Sequence, residues 1–372
     1  MPLLIHLISA VTWGGGERYA LDVCRHFRSR GWRVLAFTRD SRAVDAPFEA
    51  EGVRPRHLPL RGYADWISPM RLASMLRSGR RETTVIHVHK YKDAFTALLA
   101  RRLSRRKDVK VVLTRHLVKP ASKSILSRCI YRSLDAQIFV SALARDRYLS
   151  TWQGGRPPFP LSRIHTLHNS LLIEQPPYVP PPVKGPRIVL FLGRLSPEKG
   201  VETLIEALPA LRGRRARARI CGTGQADYVD SLKRLASNLG VMDLIDWKGY
   251  VTRTDTVISS CHVAVLPSVA EESFGLANIE IMAGGRLQIC TASGAQPEYL
   301  TDGRNAVFIT PGDSKALSDK LISLLEDDAE TPTIISMGRQ AYEDYASTLA
   351  WPRFAARLES IYAGEDARED KL

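Results

Sequence analysis

The sequence predicts an α/β protein built as two doubly wound parallel-sheet domains in tandem. Three observations lead there. The chain has 372 residues, too many for one ordinary core and suited to two domains of roughly 180 residues. Short continuous apolar runs alternate with helical patterns, as expected of parallel strands covered on both faces. The alternation stops once, at IEQPPYVPPPVKGPR (173–187), and then restarts. Its six prolines suit neither a helix nor a central strand, so it reads as a linker.

In the first domain, 1–172, the apolar runs place strands at Leu3–Ser9, Val34–Phe37, Val85–Val88, Val109–Leu113, Ala136–Val140 and Ile164–Leu167. Helices are expected near Arg18–Ser29, Pro69–Arg77, Ala94–Leu103, Ile125–Ser133 and Leu143–Thr151, with Ser68-Pro69 as a cap followed by proline in the first turn. In the second domain, 188–350, strands are expected at Arg187–Leu192, Arg217–Ile220, Ile245–Trp247, Val263–Leu266, Leu287–Cys290 and Val307–Ile309. Its helices are expected at Val201–Leu211, Tyr228–Leu239, Ala277–Ala283, Ser314–Leu325 and Ile334–Tyr345. An amphipathic stretch, Trp351–Tyr362, opens the last segment, 351–372. In doubly wound sheets ligands bind outside the carboxyl ends of the strands, so the two domains are expected to face a central cleft.

Composition narrows the class. Hydrophobic residues make up 44% and charged residues 25%, which excludes disorder and a disulfide scaffold. No run approaches the ~18 apolar residues of a spanning helix. MPLLIHLIS is too short, and too poor in basic residues, for a signal peptide and reads as a buried strand. Five scattered cysteines with no CxxC fit a reducing, cytoplasmic compartment and offer no cysteine metal site. Charge is uneven. Residues 1–175 hold 31 basic and 13 acidic side chains, net +18, and residues 176–372 hold 22 and 26, net −4. The basic half suits an anionic partner (a membrane surface, nucleic acid or a phosphorylated molecule) or is simply a solvated surface.

Four loops hold the candidate chemistry. Gly14-Gly15-Gly16 follows the first strand and opens a helix, so its backbone can approach an anion, or merely turn tightly. Arg194 and Lys199, in GRLSPEKG (193–200), flank the matching turn of the second domain, as a diphosphate clamp or as surface cations. Cys221-Gly222-Thr223-Gly224 has the start of a dinucleotide loop but Asp227 where the third glycine belongs, which argues against a nicotinamide cofactor. In EESFGLANIE (271–280), Glu272 precedes a helix and Glu280 lies eight residues on, with the Phe274-Gly275-Leu276 amides between them. That spacing suits two contacts along one elongated ligand, hydroxylated at both ends and phosphorylated in the middle, as a nucleotide sugar is. Either carboxylate could instead serve helix electrostatics or solvation. His87 and His89 alternate on one strand, but with no carboxylate or third histidine nearby zinc is not expected.

The glycine-rich first loop, GRLSPEKGVETLIEAL, the Glu272/Glu280 pair around SFGL, and GAQPEYLTDGRNAVFITPGD together resemble the retaining family-four glycosyltransferases (glycosyl transferases group 1). The resemblance runs along almost the whole chain and is strongest over 188–325. It implies the GT-B fold, two Rossmann-like domains, with an acceptor-binding first domain, a nucleotide-sugar-binding second domain, and a C-terminal helix that crosses back onto the first. It implies that Arg194 and Lys199 hold the donor diphosphate, Glu280 the ribose and Glu272 the sugar hydroxyls. Backbone at Gly14, Gly15, Gly16, Phe274, Gly275 and Leu276 would line phosphate and sugar, Tyr250 and Val251 would seat the base, and His116 would lie near the reacting centre. The implied activity is sugar transfer from a nucleotide sugar to an acceptor with retention, in the synthesis of a cell-surface glycan such as lipopolysaccharide or exopolysaccharide. No cofactor or obligatory metal is implied, in keeping with the lack of an Asp-x-Asp motif. The chain departs from the family pattern at Ser273, at Glu280-Ile281-Met282, and at Gly285-Arg286-Leu287-Gln288-Ile289, where the family often has G-x-P-V-V.

The rival readings are a nucleotide-sugar epimerase or phosphorylase on the same fold, and a non-catalytic anion- or membrane-binding protein. The basic first half adds the expectation of a lipid-linked or phosphorylated acceptor. It also suggests peripheral attachment to the inner face of the cytoplasmic membrane, with no nucleic acid as partner.

Overall fold

The computed structural model describes residues 1–79, 82–173, 175–182, 184–325 and 331–365. The chain divides into two units: residues 1–172 with the segment from Trp351 onward, and Ile173–Ala350. Glu174 and Val183 of the proline-rich stretch, and 366–372 of the last segment, lie outside the described residues.

The first unit is a seven-stranded sheet. Its strands are β1 (Leu3–Ile8), β2 (Arg33–Thr38), β3 (Arg56–His57), β4 (Thr84–Val88), β5 (Val109–Arg115), β6 (Ala136–Phe139) and β7 (Ile164–Thr166). Helices α1 (Gly15–Ser29), α2 (Arg42–Ala50), α3 (Ile67–Ser78), α4 (Tyr91–Ser104), α5 (Ile125–Ser133) and α6 (Ala142–Leu149) connect them. The order is β3-β2-β1-β4-β5-β6-β7 and every pairing is parallel. All six residues of β1 are buried, as a strand covered on both faces requires. Leu3, Ile5 and Leu7 pack on one face with residues of α3 and α4, and Leu4 packs on the other with Tyr19 and Val23 of α1. The chain winds outward through β2 and β3 and returns on the far side of β1, so β1 and β4 flank the topological switch point.

Four local features differ from the sequence expectation. The two-residue edge strand β3 is too short to show as an apolar run. Helix α2 holds Pro47 in its interior, which disguises its pattern. Helix α3 begins at Ile67, before Ser68-Pro69, and Asp65 is the capping acceptor: it takes the Ser68 amide at 3.0 Å and the Ser68 hydroxyl at 2.5 Å. Helix α1 begins at Gly15, three residues before the expected Arg18.

The second unit is a six-stranded parallel sheet of β8 (Arg187–Leu192), β9 (Ala216–Cys221), β10 (Ile245–Gly249), β11 (Val263–Leu266), β12 (Leu287–Thr291) and β13 (Val307–Ile309), ordered β10-β9-β8-β11-β12-β13. Here β8 and β11 flank the switch point. Helices α7 (Val201–Ala207), α8 (Ala226–Asn238), α9 (Thr254–Ser259), α10 (Leu276–Ala283), α11 (Ser314–Leu325) and α12 (Thr331–Asp344) complete it. Helix α9 is short and was not foreseen. Helix α7 ends at Ala207 and tightens into a 3₁₀ turn, Leu208–Leu211, where Pro209 lacks the amide to continue it.

The proline-rich stretch is strapped to this unit. Arg286 is buried, and its guanidinium donates to the carbonyls of Val179 (2.7 Å), Ser259 (2.7 Å), Gly284 (3.0 Å) and Ile258 (3.1 Å). It thereby caps the ends of α9 and α10 and holds the strap with one side chain. Tyr178 adds a hydroxyl bond to the Ile335 carbonyl at 3.1 Å and lies under Arg339.

Helix α13 (Trp351–Ala363) belongs to the first unit. Trp351, Phe354, Ala355, Leu358, Ile361 and Tyr362 recur at helical spacing and form one buried stripe, joined in a core with Leu4, Tyr19 and Phe27. Lys110 donates to the carbonyl of Tyr362 at 2.9 Å and to that of Ala363, closing the helix with a cation where its dipole is negative.

Candidate functional site

In the second unit, the loops after β8 and β11 meet across the switch point. The amides of Val269 and Ala270 donate to the carbonyl of Glu198 at 3.0 and 3.3 Å. Gly200 adopts φ +62°, and a Cβ there would stand 2.1 Å from the Pro267 carbonyl oxygen, so only glycine allows this approach. The result is that Lys199 forms an ion pair with Glu272, the two side chains being 27% and 18% exposed. The Ser268 hydroxyl donates to the same carboxylate at 3.3 Å. Downstream, Ala295 N–H donates to the Glu272 carbonyl at 2.9 Å, and the Tyr299 hydroxyl donates to the Phe274 carbonyl. Phe274 itself is buried against the Tyr299 ring, so its side chain anchors the loop and its backbone is what remains for a ligand.

Gly275 precedes α10, whose first turn leaves the Leu276 and Ala277 amides without an intrahelical acceptor. Arg194 is exposed at the same edge, with no ion pair among the described residues. Glu280 is half-buried on the second turn of α10. Thus Arg194, Lys199, Glu272, Gly275 and Leu276 gather at one edge, while Tyr250 and Val251 follow β10, two strands away from β8, with Tyr250 63% exposed. The intervening Cys221–Gly224 loop is a packing element. A Cβ on Gly222 would meet the Gly193 carbonyl oxygen at 1.7 Å, and Leu195 N–H donates to the Thr223 carbonyl at 2.8 Å.

In the first unit, Gly14 caps α1 and Gly16 faces His116, whose Cδ2 would lie 3.5 Å from a Cβ built on that glycine. Glu17 occupies the same helix start. Burial raises its carboxyl above the ordinary value, against the opposing amides of Glu17 and Gly14 and the charge of Lys90. A bound anion would therefore share the first turn with an internal acid.

His116 is the outer member of a histidine cluster. His6 Nδ1 lies 2.9 Å from His89 Nε2, and His89 Nδ1 lies 3.1 Å from His116 Nε2. His87 reaches Thr114 Oγ1 at 2.7 Å through Nε2 and the Tyr362 hydroxyl at 2.5 Å through Nδ1. Register explains the assembly, because His6 pairs directly with His87 across β1 and β4. The sequence expectation that no third histidine is near is thereby corrected. His6, His87 and His89 hold ring nitrogens within 4.8 Å of one another, the donor set a transition metal would use. Both nitrogens of His87 and both of His89 are, however, already hydrogen-bonded, leaving of these three rings only His6 Nε2 without a partner among the described residues. Burial holds all four rings neutral: it lowers His6 to about 3 and His116 to about 4, and takes His87 and His89 well below the usual histidine value.

The participants that sequence reading missed are His6, Thr114, Tyr362, Glu17 and Ser268. A histidine inside the apolar run LLIHLI was the one available signal.

Two family models match. Residues 178–344 match "Glycosyl transferases group 1", and residues 13–174 match "Glycosyltransferase Family 4". The chain belongs to this family and has its GT-B class of fold, two Rossmann-like parallel-sheet units. A D-inositol 3-phosphate glycosyltransferase of Corynebacterium glutamicum (strain R) is 33% identical over 192 residues, 50% of this chain and 45% of that protein. The chain thus spans about half the length of that relative. A phosphatidyl-myo-inositol mannosyltransferase of Mycobacterium leprae (strain TN) is 24% identical over 367 residues, 94% of this chain and 92% of that one. In fold, the chain is similar to Anabaena Alr3699/HepE in complex with UDP and glucose (TM-score 0.79, 18% identity, 97% of this chain and 99% of that one). It is also similar to a glycosyltransferase from Rickettsia africae (TM-score 0.81, 17% identity, 97% of each).

The neutral histidines make the first unit acid-labile. A histidine with a lowered folded value binds its proton in the unfolded chain first, so stability falls as pH drops below ~6.5. Asp93 acts oppositely: burial raises it to about 6, and its ionisation costs stability as pH rises from ~4 toward that value. Between pH 7 and 5.5 each histidine loses about 1 kcal/mol and Asp93 returns about 1 kcal/mol. Urea unfolding followed by fluorescence, with five of the six tryptophans in this unit, should show a lower midpoint at pH 5.5 than at pH 7. An unchanged midpoint would mean that the rings are charged or solvated.

Proposed function

We propose that the protein is a retaining glycosyltransferase that takes its sugar from a nucleoside-diphosphate donor held by the second unit. The supporting observation is the Lys199–Glu272 pair at the switch point, beside Arg194 and the first amides of α10. Phosphate oxygens replace Glu272 as the partner of Lys199, and the released carboxylate accepts from the sugar hydroxyls. Arg194 and the Gly275 and Leu276 amides complete the diphosphate contacts, Glu280 holds the ribose, and Tyr250-Val251 seats the base. Within the first unit, Gly14–Gly16 and His116 serve ligand binding. Stabilisation of the leaving diphosphate by fixed charges and amides supplies the main rate effect.

Charge-assisted phosphate contacts contribute about 1.5–3 kcal/mol each. Lys199→Ala should therefore weaken UDP or GDP, whichever the protein binds, by about tenfold or more in calorimetry. Glu272→Gln should leave the free diphosphate as tight or tighter, because it frees Lys199, while transfer from the matching nucleotide sugar falls. Weaker diphosphate binding in Glu272→Gln would contradict the exchange of partners.

We further propose that the acceptor carries phosphate and is lipid-linked, as in the growth of a surface glycan, and that the first unit rests on an anionic membrane. The observation favouring this is a groove of about 800 Å³ between α4 and α5. Leu98, Leu126 and Ile130 line it together with Arg102, Arg105 and Lys107, and these three cations are exposed. Arg101 and Arg106 are already committed to Asp135 and Asp108. Ile125, 83% exposed, begins α5 beside the groove. Each basic residue near an anionic surface contributes about 1 kcal/mol, which suffices for salt-sensitive attachment. No described helix is long and apolar enough to cross a membrane. Of the two relatives named above, the name of one contains inositol 3-phosphate, a phosphorylated compound, and that of the other phosphatidyl-myo-inositol, a phospholipid. Vesicles with anionic lipid should sediment the protein at low salt, and neutral vesicles should not. Arg102→Glu/Arg105→Glu should abolish the difference, and equal binding to both vesicle types would overturn the reading.

A further inference from the structure

The His6–His89–His116 chain has more order than three packed rings need. In each link the centroid separation (5.1 Å, then 5.3 Å) exceeds the N···N distance (2.9 Å, then 3.1 Å) by about one imidazole diameter. The rings also lie 9° and 30° from parallel, so they meet edge to edge, in line, as good hydrogen bonds do. A neutral imidazole has one N–H and one bare nitrogen, and His89 uses both. The two links therefore share a direction: both donate outward, toward His116, or both donate inward, toward His6.

The inner end decides between them. His6 Nε2 is buried and has no partner among the described residues. If the chain donates inward, that atom becomes an N–H orphaned in the core. If it donates outward, the atom is a bare lone pair. Orphaned buried N–H groups are the rarer and costlier defect. At the outer end His116 is partly exposed, and no bond to its Nδ1 occurs among the described residues, so either state can be solvated there.

We propose that His6 and His89 are positioning residues that lock His116 in its Nδ1–H tautomer, so that it presents a hydrogen-bond donor to an oxygen of a hydroxylated or phosphorylated ligand. The same geometry makes the chain a lock and not a conduit. In that state His116 Nδ1 already carries its proton, and Nε2, the ring's one bare nitrogen, is occupied by the His89 N–H, so His116 has no free nitrogen for an incoming proton. His116 therefore acts as a neutral donor and neither as a general base nor as a fixed positive charge, which agrees with the lowering of its basicity by burial. The ligand class rests on the glycosyltransferase reading given above; the tautomer lock does not.

Long-range proton–nitrogen correlation spectra of the full chain, with ¹⁵N-labelled histidine and no ligand, test the lock. The native protein should show His116 as the Nδ1–H form, with Nε2 as an acceptor. His6→Leu should shift His116 toward a tautomer mixture, although His6 does not bond to it, and His89→Leu should do so fully. An Nε2–H form of His116 in the native protein would overturn the proposal even if neither variant folds. So would a His116 pattern indifferent to His6→Leu in a folded variant. A second arm measures turnover. His6→Leu should lower kcat while leaving the affinity for UDP or GDP unchanged. If the native protein shows no sugar transfer at all, the functional reading fails while the spectra still decide the lock.

Discussion

In each sheet every strand points the same way, so all the loops at the carboxyl ends collect along one edge. Where the winding reverses, the two loops at that edge diverge and leave a crevice. The glycine-rich loop of the first unit and the Lys199–Glu272 pair of the second sit there. In the first unit the switch lies between β1 and β4, and the glycine-rich loop, Ser9, Lys90 and Asp93 follow those strands. In the second it lies between β8 and β11, whose loops hold Lys199 and Glu272. Residues 73 positions apart become an ion pair because parallel winding gives them nowhere else to go.

The two edges use opposite electrostatic means. The second unit pairs half-buried Lys199 and Glu272 with each other, in a loop frame held by backbone bonds and by Gly200. Such a pair contributes little to stability, and it can exchange partners when a better anion arrives. The first unit keeps its clustered histidines uncharged. Four histidines, Thr114, Tyr19 and Tyr362 hydrogen-bond to one another beside a core of leucine, valine and aromatic rings. The arrangement ties α13 to the sheet through Tyr362 and orients His116 without a buried charge.

Fold class and the positions of most strands were legible because continuous apolar runs of four to seven residues can serve few other purposes. The Glu272 and Lys199 loops were legible because charged residues follow those runs directly. What stayed hidden depended on register. His6 and His87 lie 81 positions apart in sequence, and only the parallel pairing of β1 with β4 places them side by side. Arg286 stood out as a departure from the family pattern, but its role as a cap for two helices and a proline-rich strap needs three dimensions. Gln288, unexpected in a buried strand, is explained the same way: it accepts from the Asn278 side chain at 2.8 Å beneath α10. Helix α2 was masked by a proline that it tolerates.

The central claim is that the loops after β8 and β11 form a nucleoside-diphosphate site. Amide hydrogen exchange with and without saturating UDP or GDP tests it most directly, because it reads each loop separately and needs no acceptor. The account predicts that protection appears in 193–200 and 268–277 and leaves the Cys221–Gly224 turn little changed. Protection absent from both loops at saturation, or concentrated at Cys221–Gly224, would contradict it.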